Sequence, residues 1–329
     1  MPPGYENRPT IFKHYTNGIL VDEKEVWGYK GNNKIIIHFY YYYYYLVFLS
    51  TYNIRDTSII VSYPLFLLFY SWIAFFLNNQ YIFWIFDYFP NETGFMFIYH
   101  ALVNFYNRRL GIVLYLSPTL KQLHPTSTKK QSLIRKIVPF GIRDVRPRRY
   151  PQKNRIGYIG TLTEGKGLFL LLKILQENEN IYLDIIGNGS LRSSLEEYTA
   201  LHRLSNRVSF FGFVPDKELH SITKKWEVSV ALYESKPLDY TEFTDPGKIK
   251  LYIQLGIPVI MTRVSLMHTE ITANKAGVVV PYTQLGFVKG LKDVQKNYTE
   301  YMEGVERLRK ANLFKDIYRA AFQFLEYHA

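Results

Sequence analysis

The sequence contains no cysteine, which excludes a disulfide framework and any metal site built on thiolates. Its 8 histidines are scattered, and no two of them stand at the spacing of metal ligands. A Gly-x-Ser-x-Gly segment is also missing from the sequence, so a hydrolase with a serine nucleophile has no anchor here. We therefore expect neither a metal site nor a cofactor of the protein's own.

Acidic residues are too few to balance the basic ones, because 28 Asp and Glu stand against 40 Lys and Arg and leave a net charge of +12. Such an excess indicates an anionic partner, which could be a nucleotide, a phospholipid surface or a nucleic acid. Many of the basic residues lie between Lys129 and Arg155, around a connector rich in Arg and Pro. Since no nucleic-acid-binding motif accompanies the charge, we expect no nucleic acid partner; steep salt dependence of DNA or RNA binding would mark that alternative.

Charge is absent altogether between Asp56 and Asp87, and a run of that length is long enough for a membrane span. Pro64 interrupts the run, however, and a polar Asn-Asn-Gln segment follows its apolar part. The same residues divide well into a strand at 58–63, a helix at 65–77 and a strand at 81–86. We favour this buried β-α-β unit. Because the chain opens without a basic and then apolar leader, we also expect a cytoplasmic protein.

Short apolar strands alternate with helices along the second half of the chain. Strands are predicted at Arg155–Gly160, Tyr182–Ile186, Val208–Phe210, Val228–Leu232 and Gly277–Pro281. Repeated β-α units of this length are typical of a parallel, doubly wound α/β sheet. We expect residues 144–310 to form this domain.

The first half of the chain shows a looser succession of the same kind, so we predict an α/β protein with two Rossmann-like domains. An Asn17-Gly18 pair between apolar segments predicts a hairpin near the start. Ile137–Ile142 is interpreted as the last strand of a first domain spanning residues 1–143. We expect residues 311–329 to form a C-terminal helix that packs back on that first domain.

The segment 244–260 predicts a loop, a short helix and a buried strand. Asp245 is a good N-cap because its carboxylate can accept hydrogen bonds from the first turn, and Pro246 suits the first helical position. Gly247 and Lys248 follow, so the helix begins with bare backbone, a positive dipole end and a cation. Such a turn suits a phosphate or diphosphate, although any α/β protein can begin a helix in this way.

A second glycine-rich turn joins strand to helix between Gly160 and Gly167. Its spacing matches neither the dinucleotide fingerprint nor the P-loop, so the turn alone predicts little. Taken together, the two turns place Lys166 and Lys248 at two helix starts. We infer that they hold one diphosphate from two sides, while backbone amides and helix dipoles supply a fixed positive field.

Four segments of the second half resemble the donor-binding domain of group 1 glycosyltransferases of the family-4 type, in their order and in their spacing. They are Tyr158–Gly167, Ile185–Gly189, Val208–Pro215 and Asp245–Ile260. The resemblance covers about residues 154–283, and Asp87–Pro90 and Ile137–Ile142 are its best anchors in the first half. It implies the GT-B fold, in which two Rossmann-like domains face a cleft. It also implies transfer of a sugar from a nucleotide donor of the UDP or GDP type, with retention at the anomeric carbon and without a metal.

The resemblance also assigns roles by position in the donor site. Lys166 corresponds to the family's diphosphate-binding lysine, and Phe213 and Val214 lie where the nucleotide base docks. The other residues that the resemblance places around the donor are Gly160, Thr161, Gly187, Asp245, Gly247, Lys248 and Ile249.

Two carboxylates are the candidates for the catalytic step. Asp87 lies at the end of a predicted strand that faces the cleft, where it could orient or deprotonate the acceptor hydroxyl. Glu242 could bind hydroxyl groups of the donor sugar. Each also has a plain structural interpretation, Asp87 as a strand-end cap and Glu242 as a solvated loop residue.

The sequence departs from the family at several positions. Thr161 stands where the family usually has arginine, and Leu251 stands where it has the glutamate that binds the ribose. The other glutamate of the family motif would fall at Phe243, and Glu242 is one residue away. These departures keep open a second function, a non-catalytic protein that binds sugar nucleotides or glycans at a decayed site.

The acceptor is open between a glycan, a protein and a lipid-linked molecule. The basic connector and the aromatic first half favour peripheral contact with an anionic membrane.

Overall fold

The computed structural model describes residues 10–16, 19–26, 43, 58–62, 64, 67, 80–86, 88, 95–124, 134–145, 149–234, 247–263 and 267–326. Three predicted site residues, Asp87, Glu242 and Asp245, lie outside these ranges. The strand and helix bounds given below refer to the described residues alone.

The first part of the chain contains a hairpin and a four-stranded parallel sheet, here called the small sheet. The hairpin pairs β1 (Thr10–Thr16) with β2 (Ile19–Val26), which confirms the prediction from Asn17-Gly18. The small sheet has the order β3-β4-β5-β6, with β3 at Ser58–Val61, β4 at Gln80–Ile85, β5 at Ile112–Tyr115 and β6 at Ile134–Ile137. Helix α1 (Phe95–Arg109) precedes β5, and α2 (Pro118–Leu123) follows it.

The parallel pairing of β3 with β4 confirms the two strands of the predicted β-α-β unit. Most of the helix predicted between them, at 65–77, lies outside the described residues. Within the described part of the chain, no helix combines the length and the apolar content needed to cross a membrane.

The prediction for the last strand of the small sheet was wrong, because β6 ends at Ile137 where the predicted strand began. The N–H of Val138 still donates to the carbonyl of Tyr115 at 2.8 Å. Pro139 has no N–H with which to continue the ladder. The chain then runs on to Ile142, which forms a single parallel bridge with Leu313.

A six-stranded parallel sheet, here called the large sheet, occupies the second part of the chain. Its order is β12-β11-β10-β7-β8-β9. The strands are β7 (Arg155–Ile159), β8 (Tyr182–Ile186), β9 (Val208–Gly212), β10 (Val228–Ala231), β11 (Val259–Met261) and β12 (Gly277–Val279). The helices are α3 (Leu168–Glu177), α4 (Arg192–Leu201), α5 (Asp216–Thr223), α6 (Gly247–Gln254), α7 (Met267–Asn274), α8 (Gln284–Lys296), α9 (Tyr298–Ala311) and α10 (Phe314–Glu326).

Helices cover both faces of the large sheet. Successive residues of a strand point to opposite faces, so neighbouring residues of one strand pack in different layers. Val230 packs in the layer formed with α3, α4 and α8, whereas Ala231 packs in the layer formed with α5, α6, α7 and α9. The apolar side of α6 is fully used, since Ile249 and Tyr252 are 0% exposed and Ile253 is 1% exposed. This two-layer packing confirms the predicted doubly wound α/β architecture.

The chain returns to the small sheet through α10. Ile142 donates its N–H to the carbonyl of Asn312 at 2.8 Å and accepts from the N–H of Phe314 at 2.7 Å. Beyond this crossing, the ring of Tyr318 lies 5.7 Å from that of Trp84 on β4. Helix α10 therefore contributes to the core of the small sheet, and the exact domain boundaries stay a prediction.

Candidate active site

Three neighbouring strands of the large sheet end in glycines that pack backbone against backbone. Gly160 follows β7 with φ +149°, and Gly187 follows β8 with φ +134°. The N–H of Gly187 donates to the carbonyl of Gly212 at 2.7 Å. The N–H of Gly160 donates to the carbonyl of Ile186 at 3.0 Å. A Cβ on Gly187 would lie 1.9 Å from the Gly160 oxygen, so this edge accepts no side chain at Gly187. Ligands of open α/β sheets bind at this carboxyl edge.

The turn that joins β7 to α3 is held against the segment after β10. Gly165 and Gly167 have φ of +74° and +70°, a conformation that favours glycine. The carbonyl of Gly165 accepts from the N–H of Glu234 at 3.0 Å. A Cβ on Gly167 would approach the Leu232 oxygen to 2.5 Å. Lys166, between the two glycines, is thereby directed towards the residues after β10, and its Nζ lies 4.7 Å from the ring centroid of Tyr233.

Lys248, at the start of α6, meets this turn. Its Nζ donates to the hydroxyl of Tyr158 at 3.1 Å. The same atom lies 4.3 Å from the ring centroid of Tyr158 and 5.1 Å from that of Tyr233. A Cβ on Gly160 would come within 2.9 Å of it. The two turns that the sequence singles out therefore share one location, with the lysines of both beside one tyrosine ring.

The first residue of α6 is uncovered as far as the described residues go. Gly247 is exposed, and no atom of the described residues lies within 4 Å of the position that its Cβ would take. The next residue but one, Ile249, is fully buried, so its contribution to a site is its backbone amide. Bare backbone and a helix dipole at this point favour an anion.

Burial and, secondly, the charge of Lys166 lower the pKa of Lys248 to about 7. Bringing an anion next to the ammonium group would favour its charged form and raise that pKa again. Lysines with a pKa this far below the ordinary range are found more often at functional sites than elsewhere.

Helix α6 is fixed beneath the site by the hydroxyl of Tyr252. This oxygen accepts from the N–H of Ile159 at 2.8 Å and donates to the carbonyl of Val230 at 3.1 Å. Burial raises the pKa of Tyr252, so the group stays a neutral hydroxyl that can both accept and donate. One side chain thus ties the helix that carries Lys248 to two strands of the large sheet.

The predicted base-binding residues follow β9 at the same edge. Phe213 is 47% exposed, and Val214 packs partly against the layer of α5 and α6. A Cβ on Gly212 would lie 3.0 Å from Nη1 of Arg192, which donates to Oδ1 of Asn188 at 2.6 Å. An aromatic side chain and a cation therefore flank the end of β9.

The described residues at the carboxyl edge of the small sheet include an aromatic and imidazole cluster. The ring of Tyr88, the residue after Asp87, lies 4.9 Å from that of His100 and 5.9 Å from that of His124. Nδ1 of His124 is 3.0 Å from Oδ1 of Asn104. Burial and, secondly, His100 lower the pKa of His124 to about 4, so this ring is neutral at pH 7.

The structure brings together Gly160, Thr161, Lys166, Gly187, Gly247, Lys248 and Ile249 at the ends of β7 and β8 and the start of α6. Thr161 takes part through its carbonyl, which accepts from the Tyr158 hydroxyl at 2.9 Å, while its side chain is exposed. Leu251 packs against the apolar layer between α6 and the sheet. Among the described residues, no three His, Asp or Glu side chains gather as a metal site would require.

Sequence reasoning missed Tyr158, Tyr233 and Arg192 as site residues. Tyr158 stands within a motif segment, two residues before Gly160, where an aromatic ring was not given a role. Tyr233 follows β10 by two residues, so a search of every strand end for aromatic residues would have found it.

Residues 143–311 match the family model described as glycosyl transferases group 1. A comparison with curated protein sequences finds no match. Among solved structures, sucrose-phosphate synthase from Thermosynechococcus elongatus is 14% identical, with a TM-score of 0.70 over 97% of this chain and 86% of that chain.

Two structures solved with a nucleotide are also similar. HepE from Anabaena in complex with UDP is 13% identical, with a TM-score of 0.66 over 82% of this chain and 78% of that chain. The pneumococcal O-GlcNAc transferase GtfA in complex with UDP and GlcNAc is 14% identical, with a TM-score of 0.59 over 78% of this chain and 54% of that chain. At these identities the similarity shows a shared fold, which is GT-B.

Proposed function

Since this chain belongs to the group 1 glycosyltransferases, we propose that it moves a sugar from a nucleoside-diphosphate donor of the UDP or GDP type to an acceptor hydroxyl, with retention and without a metal. One observation supports a diphosphate-containing donor: the turns at the starts of two helices lie together. Nζ of Lys166 and Nζ of Lys248 are 4.7 Å and 5.1 Å from the ring centroid of Tyr233. UDP in the HepE and GtfA structures supports a nucleotide donor.

The two lysines and the start of α6 act on the leaving group. As the bond between the sugar and the diphosphate breaks, negative charge develops on the diphosphate oxygens. Fixed positive charge aimed at that position stabilises the transition state more than the ground state. Lys166, Lys248 and the amides from Gly247 to Ile249 supply such charge. Divalent cations do this work in other phosphate-transfer sites, and two ammonium groups replace them in this proposal.

The catalytic carboxylates are proposed from position alone, because both lie outside the described residues. Asp87 comes directly before Tyr88 at the carboxyl end of β4, and we assign it to orienting or deprotonating the acceptor. Glu242 lies in the segment before α6, and we assign it to the hydroxyl groups of the donor sugar. Asp245 is assigned to capping α6.

The nucleotide base is proposed to dock against Phe213 and Val214 at the end of β9. An exposed aromatic ring can stack on a base of either donor type. Arg192, beside Gly212, places a further cation at this edge, on the side of the base and ribose.

Contact with an anionic membrane is proposed for the outer face of α1. Phe97, Ile98 and Phe105 are 65%, 52% and 47% exposed on that helix. The helix ends in Arg108 and Arg109, and the guanidinium of Arg109 lies 5.0 Å from the ring centroid of Phe105. Apolar side chains next to cations suit the interface of an anionic bilayer.

Sedimentation with phosphatidylserine vesicles tests the membrane proposal. We expect a double change of Phe97 and Phe105 to Glu to reduce the bound fraction several-fold. A protein that stays in the supernatant before any substitution, at low salt, would remove the proposal.

A second function, donor binding without turnover, is favoured by Leu251. Its side chain packs in the apolar layer, so the ribose carboxylate of the family is not available from this position. Donor hydrolysis or sugar transfer with purified protein separates the two functions. Turnover that a metal chelator leaves unchanged supports the metal-independent transferase, whereas tight UDP binding without turnover across many acceptors supports the binding protein.

A thermal-shift screen of UDP, GDP, ADP and their sugars tests the donor site, because a ligand that binds only the folded protein raises its melting temperature. Lys166→Ala and Lys248→Ala should each weaken binding of the best nucleotide about tenfold to hundredfold in calorimetry, since each removes a charge-assisted contact. Lys173→Ala is the matched control, because this exposed lysine on α3 removes the same charge away from the site. Equal affinity in all three variants would show that the site is elsewhere.

A further inference from the structure

We propose that Tyr158 and Tyr233 are positioning residues of the donor site, whose rings hold the ammonium groups of Lys166 and Lys248 together so that both face one diphosphate. The inference rests on the proposed function and deepens it. It names the groups that keep the two lysine side chains at one place before the ligand arrives, and it predicts a preference for a diphosphate over a monophosphate.

The ring of Tyr233 is shared between the two cations. Its centroid is 4.7 Å from Nζ of Lys166 and 5.1 Å from Nζ of Lys248. A cation within about 6 Å of an aromatic face is attracted by the negative charge density of the ring. Like charges repel each other, so an attraction common to both ammonium groups opposes their separation.

Lys248 contacts a second tyrosine, Tyr158, in addition to Tyr233. Nζ of Lys248 lies 4.3 Å from the ring centroid and donates to the hydroxyl at 3.1 Å. The hydroxyl in turn donates to the carbonyl of Thr161 at 2.9 Å, in the turn that leads to Lys166. One tyrosine therefore connects the start of α6 with the glycine-rich turn.

Neither ring is free to rotate away. Tyr158 is 0% exposed and Tyr233 is 4% exposed. The backbone N–H of Tyr233 donates to Oγ1 of Thr262 at 2.9 Å, and that hydroxyl donates to the Tyr233 carbonyl at 2.8 Å. Because Thr262 follows β11 and is itself buried, the backbone of Tyr233 is clamped to the next strand end. The two cations are thus pre-organised, which reduces the free energy needed to assemble them around a ligand.

A second cation, Lys166, is among the described groups around Lys248. In the described part of the chain, the groups beside Lys248 include Lys166 from the turn after β7, Tyr158 from β7, and Tyr233 from the segment after β10, where Glu234 follows. Glu242 and Asp245 belong to the segment 235–246, which lies outside the described residues. With a pKa of about 7, Lys248 is mostly neutral in the empty site at pH 8. A bound diphosphate restores its charge, so binding at that pH takes up a proton.

Three variants distinguish the effect of losing an aromatic ring from the effect of losing a hydroxyl group and from a general loss of stability. Tyr233→Leu removes the shared ring, whereas Tyr233→Phe keeps it and serves as the matched control. Tyr158→Phe keeps its ring and removes the acceptor of Lys248. We expect calorimetry to show that Tyr233→Leu lowers UDP affinity about three- to tenfold and UMP affinity less. Tyr233→Phe should stay within about twofold of the unchanged protein, and Tyr158→Phe should lose about threefold.

Calorimetry of UDP binding in two buffers with different ionisation enthalpies gives the second readout, which needs no substitution. We expect uptake of close to one proton at pH 8 and much less at pH 6. A folded Tyr233→Leu variant that binds UDP as before, or that loses UDP and UMP affinity equally, would overturn the inference and leave the donor site intact. If that variant does not fold, unchanged affinity in Tyr158→Phe together with no proton uptake would overturn it. Absence of binding of UDP, GDP and inorganic pyrophosphate to the unchanged protein would instead remove the proposed function, and this inference with it.

Discussion

The two parallel sheets of this chain end differently at their carboxyl edges. Three of the six strands of the large sheet, β7, β8 and β9, end in glycines with positive φ, packed so closely that a Cβ on Gly187 would meet the Gly160 oxygen at 1.9 Å. The described end of the small sheet carries side chains, with Tyr88 next to His100 and His124. The backbone shapes the glycine-bearing part of the first edge, whereas side-chain packing shapes the described part of the second.

The difference fits the two partners that a glycosyltransferase must hold. A diphosphate is common to all nucleoside-diphosphate sugars, and backbone amides with helix dipoles recognise it without regard to the sugar. An acceptor varies in shape, and side chains are the groups that adapt to shape. In our proposal the large sheet therefore carries the invariant half of the site, and the small sheet carries the half that sets acceptor specificity.

Gly187→Ala tests the backbone edge and should have the largest effect. The Cβ would overlap the Gly160 oxygen at 1.9 Å, and the φ of +134° disfavours any side chain. We expect the free energy of unfolding to fall by about 4 kcal/mol or more, measured by urea denaturation.

Gly111→Ala is the control in the small sheet, one residue before β5. No described atom approaches within 4 Å of its Cβ position, so stability should change by less than about 1 kcal/mol. Equal losses of unfolding free energy in the two variants would mean that Gly187 is no more constrained than Gly111.

The same difference explains how much of the molecule could be predicted from the sequence. Gly160, Lys166 and Lys248 could be proposed as site residues from the sequence because helix-start chemistry and the motifs of the family resemblance act over a few neighbouring residues. Strand β8 was predicted at the bounds that the structure shows, Tyr182–Ile186, since it is a short apolar run with clear ends. Local rules are sufficient where the backbone itself makes the site.

Features that depend on distant residues could not be predicted in this way. Tyr233 lies 4.7 Å from Lys166 only because β10 pairs with β7, and no local pattern indicates that pairing. Strand β6 was misplaced because the apolar residues Val138, Phe140 and Ile142 continue past the point where Pro139 ends the ladder. The hydrophobic pattern predicts a strand there, but the missing N–H of Pro139 prevents the ladder of hydrogen bonds from continuing.

Acid should lower the free energy of unfolding through protonation of His124, which packs beside the small sheet. Its pKa of about 4 in the folded chain lies below the ordinary value of 6.5, so folding favours the neutral ring. The stabilisation is complete above pH 6.5 and is lost as the pH falls towards 4. We expect a loss of about 2 to 3 kcal/mol over that range, measured as the free energy of unfolding at each pH.

His124→Gln should flatten the pH dependence, because the titrating group is removed. His202→Gln, an exposed residue at the end of α4, is the control and should leave the slope as it was. An unchanged slope in His124→Gln would assign the acid sensitivity to other groups.

The smallest expected effect comes from removing one buried tyrosine hydroxyl beside each sheet, that of Tyr252 on α6 and that of Tyr115 on β5. In Tyr252→Phe the N–H of Ile159 loses its acceptor at 2.8 Å, and in Tyr115→Phe the amide oxygen of Asn107 loses its donor at 2.5 Å. Each change should lower the free energy of unfolding by about 1 to 2 kcal/mol. Only Tyr252→Phe should also weaken UDP binding, by about two- to fivefold, because Tyr252 fixes the helix that carries Lys248.

The pair is informative because both variants lose similar stability at buried sites, so a difference in UDP affinity must come from position. If both variants lose UDP affinity equally, general loosening of the fold explains the effect, and the division between a donor edge and an acceptor edge is wrong. If only Tyr252→Phe loses affinity, the start of α6 acts as a part of the site whose exact placement matters, which is the role that the contacts of Lys248 with Tyr158 and Tyr233 require.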